Sequence, residues 1–125
     1  MARIHVGIDW ASRDHAVCAI DQDGHQLVRF AVDHDQDGLD RLVKKLARLG
    51  PVLDTQVGIE RADGVLVDRL LEAGHQVIPV RPAAIKAFRV AETPSGAMSD
   101  AGDAKVIAEY VRVRHQHLRP LEPFS

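Results

Sequence analysis

Arg3-Ile4-His5-Val6-Gly7-Ile8-Asp9-Trp10 is the stretch that decides how this chain reads. Apolar Ile4, Val6 and Ile8 alternate with Arg3, His5 and Gly7, the two-residue period of a strand with one buried face. Asp9 then falls where that strand leaves the core. A carboxylate at a strand tip sits on a rigid element yet stays open to solvent, which suits a metal ion. Aspartate also ends strands simply as a turn residue. The metal reading therefore needs other carboxylates that converge on Asp9.

Working outward, Ala11-Ser12-Arg13-Asp14 reads as a turn and His15 to Ile20 as a second strand. Asp21-Gln22-Asp23-Gly24 carries the Asp-Gly signal of a hairpin, with a third strand over Gln26 to Val32. Three strands joined by short turns make an antiparallel meander. Asp33 to Asp37 is acidic and reads as a loop leading into a helix, because no downstream glutamate completes a calcium loop. The helix runs from about Gln36 to Leu49, with Leu39, Leu42, Val43 and Leu46 on one face, and Gly50-Pro51 stops it.

Gln56-Val57-Gly58-Ile59 is a short apolar strand ending in Glu60, a repeat of the Asp9 arrangement. A helix after Asp63-Gly64 buries Val65, Leu66, Leu70 and Leu71, and Gly74 suits a left-handed cap. His75 to Val80 is a further strand, so strand, helix and strand make a parallel crossover. Arg81-Pro82 opens another helix, with Ala84, Ile85 and Phe88 inward and Arg81, Lys86 and Arg89 outward. Ala91 to Ala97, which contains Thr93-Pro94-Ser95-Gly96, reads as a loop. Ser99-Asp100-Ala101-Gly102-Asp103 begins the last helix, whose Ala104, Ile107, Ala108 and Val111 form an inward stripe. The reading is an α/β domain over residues 1–117, with 118–125 as a tail or the start of a linker.

Composition narrows the classes. The chain has 125 residues, 46% hydrophobic and 27% charged, enough for one domain with a core. No apolar run approaches the roughly 20 residues that span a bilayer, and the start lacks a signal-peptide pattern. Cys18 lies in an apolar run and reads as a buried small hydrophobe in a reducing, cytoplasmic setting. The seven histidines are scattered, expected mostly at the surface, and show no zinc spacing. Net charge is −2, yet residues 1–75 hold 9 Lys/Arg against 13 Asp/Glu, and residues 76–125 hold 7 against 5. A polyanion would favour the second half.

Asp9, Glu60, Asp100 and Asp103 are the candidate constellation. Two end strands, and two lie three apart in a helical first turn. If the Asp9 and Glu60 strands are neighbours, all four meet at one sheet edge, where their repulsion calls for cations. Oxygen donors in that number suit Mg²⁺ or Mn²⁺, and two ions roughly 3.5–4 Å apart stabilise attacking and leaving phosphodiester oxygens. The plain alternative is that Asp100 and Asp103 cap a helix while Glu60 pairs with Arg61 or a lysine.

Gly7-Ile8-Asp9-Trp10-Ala11-Ser12, Gly58-Ile59-Glu60 and Ser99-Asp100-Ala101-Gly102-Asp103-Ala104 together resemble the N-terminal domain of DEDD transposases of the insertion sequence 110 family. Leu70-Leu71-Glu72-Ala73-Gly74-His75 and Val80-Arg81-Pro82 keep that family's order. The resemblance implies a ribonuclease H-like (RuvC-like) mixed sheet, the meander followed by parallel strands, with flanking helices. It implies Mg²⁺ (or Mn²⁺ as substitute) at Asp9, Glu60, Asp100 and Asp103, and cleavage and rejoining of DNA strands. It also implies a structured guide RNA, a homo-oligomer, and a serine nucleophile in a separate C-terminal domain. None of Ser12, Ser95 and Ser99 is assigned that role. Met98-Ser99 stands where the family has Lys-Thr, which removes a phosphate contact. The expectation is metal binding without complete strand exchange by this piece alone.

Arg81, Lys86, Arg89 and Lys105 are the candidates for nucleic-acid backbone contacts. Three Phe, one Trp and one Tyr are too few for a base-stacking surface. Two other classes fit parts of the pattern. One is a sugar-kinase or actin-type nucleotide-binding domain, using Asp9 and the Asp21–Gly24 turn. The other is a non-catalytic nucleic-acid-binding or oligomerisation module.

Overall fold

The computed structural model describes residues 3–61, 63–92, 103–114 and 120–121, with backbone alone for 90–92. In chain order come β1 (Ile4–Trp10), β2 (Asp14–Asp21), β3 (Gln26–Asp33), α1 (Gln36–Leu49), β4 (Thr55–Ile59), α2 (Val65–Glu72), β5 (Gln76–Pro79), α3 (Pro82–Glu92) and α4 (Asp103–Arg114). One sheet holds the strands in the order β3-β2-β1-β4-β5. β1, β2 and β3 form the expected antiparallel meander, and β4 and β5 join β1 in parallel. The Asp21–Gly24 hairpin closes through the Asp21 carboxylate, which accepts the Asp23 and His25 amides at 2.9 Å each.

Alternation divides β1 and β4 between two faces. Ile4, Val6, Ile8, Val57 and Ile59 point to one side and pack with Leu39, Leu42 and Leu46 of α1 and Leu66, Val67 and Leu70 of α2. Asp35 caps α1, its carboxylate accepting the Gly38 amide at 2.7 Å. On α2 the buried stripe is Leu66, Val67 and Leu70. Val65, expected in that stripe, is the first residue of the helix and is 51% exposed.

The other sheet face belongs to α4. Ala104 and Ala108 pack with Cys18 and Ile20, and Ile107 and Val111 pack with Ile78, Val80 and Ile85. The helix lies directly on the two glycines of the paired strands. A Cβ on Gly7 would sit 2.0 Å from the Ala104 carbonyl oxygen and 2.5 Å from the Ala108 nitrogen. On Gly58 it would sit 2.4 Å from Val111 Cγ2. This close approach, possible only without a side chain, lets α4 lie on the β1–β4 seam.

Three expectations change. Among the five described histidines, His5, His15 and His75 are buried rather than at the surface. Two of them have hydrogen-bond partners: His5 meets Gln56 at 3.1 Å and His15 meets His34 at 2.8 Å. α3 runs on to Glu92, into the segment expected to be loop. Residues 93–102, including the stretch Thr93–Gly96 expected to be a loop and Asp100, lie outside the described residues. Leu121, in the expected tail, donates its amide to the Val77 carbonyl at 2.7 Å and packs on the core. Among the described residues, no helix is long and apolar enough to cross a membrane.

Candidate metal centre

The parallel register places like beside like along the face that α4 covers. His5 is opposite Gln56, and Gly7 is opposite Gly58. The last ladder pair is Ile8 with Ile59, so the next residues, Asp9 and Glu60, follow side by side at the strands' C-terminal ends. The period of two sends Asp9 to the α4 face, in line with Gly7, and Glu60, just past the end of β4, lines the same pocket. Crevices outside the carboxyl ends of strands are where open α/β sheets bind ligands.

A pocket of about 310 Å³ lies there, lined by Asp9, Glu60, Pro82, Ile85, Lys86, Arg89 and Asp103. Three of the four candidate carboxylates therefore share one pocket. Asp9 and Glu60 come from the sheet, and Asp103 from the first turn of α4. Arg89 reaches in from α3 and forms an ion pair with Asp103. That corrects the outward placement expected for Arg89, whose side chain is only 18% exposed. The acidic pocket draws the guanidinium inward.

The electrostatics follow from this crowding. Burial pushes the Asp9 carboxyl above its ordinary value, Arg89 pulls it back, and Asp14 adds to the rise. Glu60 is raised by burial and then by the Asp9 charge, again opposed by Arg89. The pair is thus short of positive charge even with Arg89 present. Hard carboxylate oxygens whose repulsion is incompletely relieved are the donor set that a divalent cation fits.

A second acidic group has a structural explanation. Among the described residues, the one His/Cys/Asp/Glu trio with ligand atoms within 4.8 Å of one another is Asp21, Asp23 and His25. Asp21 there serves the hairpin, and the amides of His25 and Asp23 help hold its carboxyl below the usual range. Asp9, Glu60 and Asp103 share their pocket at a wider spacing than that trio.

The proposed nucleic-acid contacts divide. Arg81 and Lys86 are exposed, and Lys86 also stands at the pocket. Lys105 is exposed on α4 and does not line the pocket. Arg61, a candidate partner for Glu60, turns onto Trp10 instead, with its guanidinium carbon 4.0 Å from the ring centre. Its terminal nitrogen lies 3.6 Å from Asp63. Sequence reasoning alone misses the Trp10–Arg61 contact and the two seam glycines. A usable signal is nonetheless present: Asp9 and Glu60, the two strand-end carboxylates, are each preceded two residues earlier by glycine and followed by a residue able to stack.

In fold, the chain matches Thermus thermophilus RuvC in complex with a Holliday junction substrate, with a TM-score of 0.68 at 16% identity over 95% of this chain and 99% of that one. The domain is therefore a RuvC-like, ribonuclease H-like mixed α/β fold. A Streptomyces coelicolor protein described as a candidate transposase for the mini-circle IS117 is 34% identical over 94% of this chain. A candidate transposase of Sinorhizobium fredii, y4uE, is 32% identical over 86% of it. The chain spans 29% and 31% of the lengths of these two relatives. The sugar-kinase or actin-type nucleotide-binding alternative gains no support from these matches. A transposase family model covers residues 6–125, nearly the whole sequence, and the chain belongs to that family, the DEDD transposases of insertion sequence 110.

Proposed function

We propose that this chain is the metal-dependent catalytic domain of a DNA transposase, acting on phosphodiesters during strand cleavage and rejoining. The observation that carries the reading is the parallel register that sets Asp9 beside Glu60, with Asp103 in the same pocket. Asp9, Glu60 and Asp103 would hold Mg²⁺, or Mn²⁺ in its place, with Asp100 joining them. When bound, such ions supply Lewis-acid stabilisation of the charge on attacking and leaving oxygens. The chain's own part is to fix the carboxylates on rigid elements and to keep Arg89 beside them as a counter-charge. Exposed Arg81 and Lys86 would contact the nucleic-acid backbone next to the pocket. We extend the proposal to guidance by a structured RNA, self-association and a serine nucleophile from a C-terminal domain, as the resemblance to the family implies. No serine of this chain is given that role. We further take residues 1–117 as the catalytic unit.

Calorimetric titration of the 125-residue chain with Mn²⁺ tests the reading. Asp9→Asn and Glu60→Gln should each weaken binding by at least about tenfold, as loss of a ligand does. Equal affinity in Asp9→Asn and the parent would overturn it.

A further inference from the structure

We propose that Arg61, stacked on Trp10, is a positioning residue that fixes Glu60 beside Asp9 for divalent-ion binding. The inference rests on the metal-centre reading above and extends it to two residues that touch no ion.

The two central strands part where their ladder ends. β1 and β4 are in register through Ile8 and Ile59. Past that pair β1 stays anchored on its other side, since Asp9 and Trp10 still pair with Ala16 and His15 of β2. β4 stops at Ile59, whose carbonyl accepts the Val80 amide at 2.8 Å. Glu60 is thus the first residue beyond its own strand, while Asp9 is still inside its strand. The contact that re-joins the two segments is made by the next residues along, Trp10 and Arg61, at 4.0 Å.

Trp10 is itself braced. Its ring lies 5.6 Å from the His15 ring and 5.7 Å from the His34 ring. Those imidazoles are joined by the 2.8 Å hydrogen bond, and His15 Nδ1 accepts the Ala11 amide at 3.2 Å. A guanidinium seated on so firmly held an indole has a defined position, and it carries its neighbour Glu60 with it. Arg61 acts here through placement more than through charge. Its charge bears on His15, whereas the cation that bears on Asp9 and Glu60 is Arg89.

The sign of the effect separates the two roles. Removing a positive charge near a cation site tightens cation binding if the charge alone matters. Loss of a positioning contact loosens it. Arg61→Ala and Trp10→Leu should each raise the Mn²⁺ dissociation constant by about tenfold, the lower end for groups that orient ligands. The double variant should be no worse than either single, because one contact is lost in all three. Trp10→Phe, which keeps a ring for the guanidinium, should restore most of the affinity. Trp10 is the sole tryptophan, so its emission should shift in Arg61→Ala and report the loosened stack directly.

Unchanged or tighter Mn²⁺ binding in folded Arg61→Ala would overturn the inference, as would additive losses in the double variant. If Trp10→Leu does not fold, Trp10→Phe and Arg61→Ala decide the matter between them. Asp9→Asn keeps the two readings apart. Loss of binding in Asp9→Asn with none in Arg61→Ala defeats the positioning role alone. Full binding in Asp9→Asn defeats the metal centre itself.

Discussion

At the scale of single residues, the pocket is a balance between two raised carboxyls and one arginine. A carboxyl whose value is raised by folding favours its protonated form in the fold. The associated stability is present below the ordinary value, 3.8 for Asp9, and is lost as pH rises through the higher folded value. Ionised Asp9 is therefore a cost at neutral pH when no cation is supplied. Asp9→Asn should raise the melting temperature by about 1–3 °C at pH 7 in chelator, the size expected for a partly screened charge. The gain should vanish near pH 3.5, and excess Mg²⁺ should reverse the order by stabilising the parent alone. Thermal denaturation across pH, with and without Mg²⁺, checks all three. Arg89 gives a second prediction. It pairs with Asp103 and lowers both Asp9 and Glu60. Arg89→Met removes a cation that competes for the same oxygens, so Mn²⁺ affinity at pH 8 should rise by roughly tenfold or less, about one kcal/mol of charge interaction. A fall in calorimetric affinity would mean that Arg89 chiefly holds Asp103 in place.

At the scale of elements, the site depends on how closely α4 can lie on the sheet. Gly7 and Gly58 face it from adjacent strands, but what each would strike differs. An added methyl at Gly7 meets backbone, the Ala104 carbonyl oxygen and the Ala108 nitrogen. At Gly58 it meets side-chain carbons of Val111 and Ile107. Backbone in a packed helix can yield only by moving the helix, whereas a side chain can be trimmed. Gly7→Ala should therefore cost about 3 kcal/mol or more, at the top of the overpacking range, and carry Asp103 away from Asp9. Gly58→Ala should cost about 1–3 kcal/mol, and Val111→Ala in the same chain should recover part of it. Urea denaturation measures the stabilities, and Mn²⁺ titration reads the displacement of Asp103. The strands and helices themselves are legible in the sequence, because alternation in Ile4–Ile8 and the stripe Ala104, Ile107, Ala108, Val111 are local patterns. The glycine seam is not, since its meaning lies in which helix crosses it. Arg89 escapes sequence reasoning for the same reason: helical spacing puts it outward, and only a pocket built from three other elements draws it in.

At the scale of the whole molecule, buried histidines set a pH response opposite to that of the acidic pocket. His15 is lowered by burial and by His34, with Arg61 adding to the shift and Asp14 opposing it. His75, between α2 and β5, is lowered by burial, and its Nδ1 has no hydrogen-bond partner among the described residues. Scattered positions in the sequence give no sign of this, since burial of a histidine depends on partners supplied from elsewhere, such as His34 for His15. A group whose folded value is depressed contributes stability that is present above its ordinary value, 6.5, and is lost as pH falls through the folded value. At His15 the hydrogen bonding agrees with the effect of burial: Nδ1 accepts the Ala11 amide, and a proton placed there would oppose that N–H. Loss of stability should thus begin as pH falls below 6.5, the ordinary value of the two histidines. Between pH 7.5 and 5.5 the melting temperature should fall by roughly 5 °C, as expected for one to two kcal/mol in a domain of this size. His75→Leu removes one of the two titrations and its unpartnered nitrogen, so its fall over the same interval should be clearly smaller. An identical fall in both proteins would place the acid sensitivity at His15, which pairs with His34 beside Trp10. In that case Trp10 emission should change over the same pH range as the loss of stability, because that pair braces the ring on which Arg61 rests.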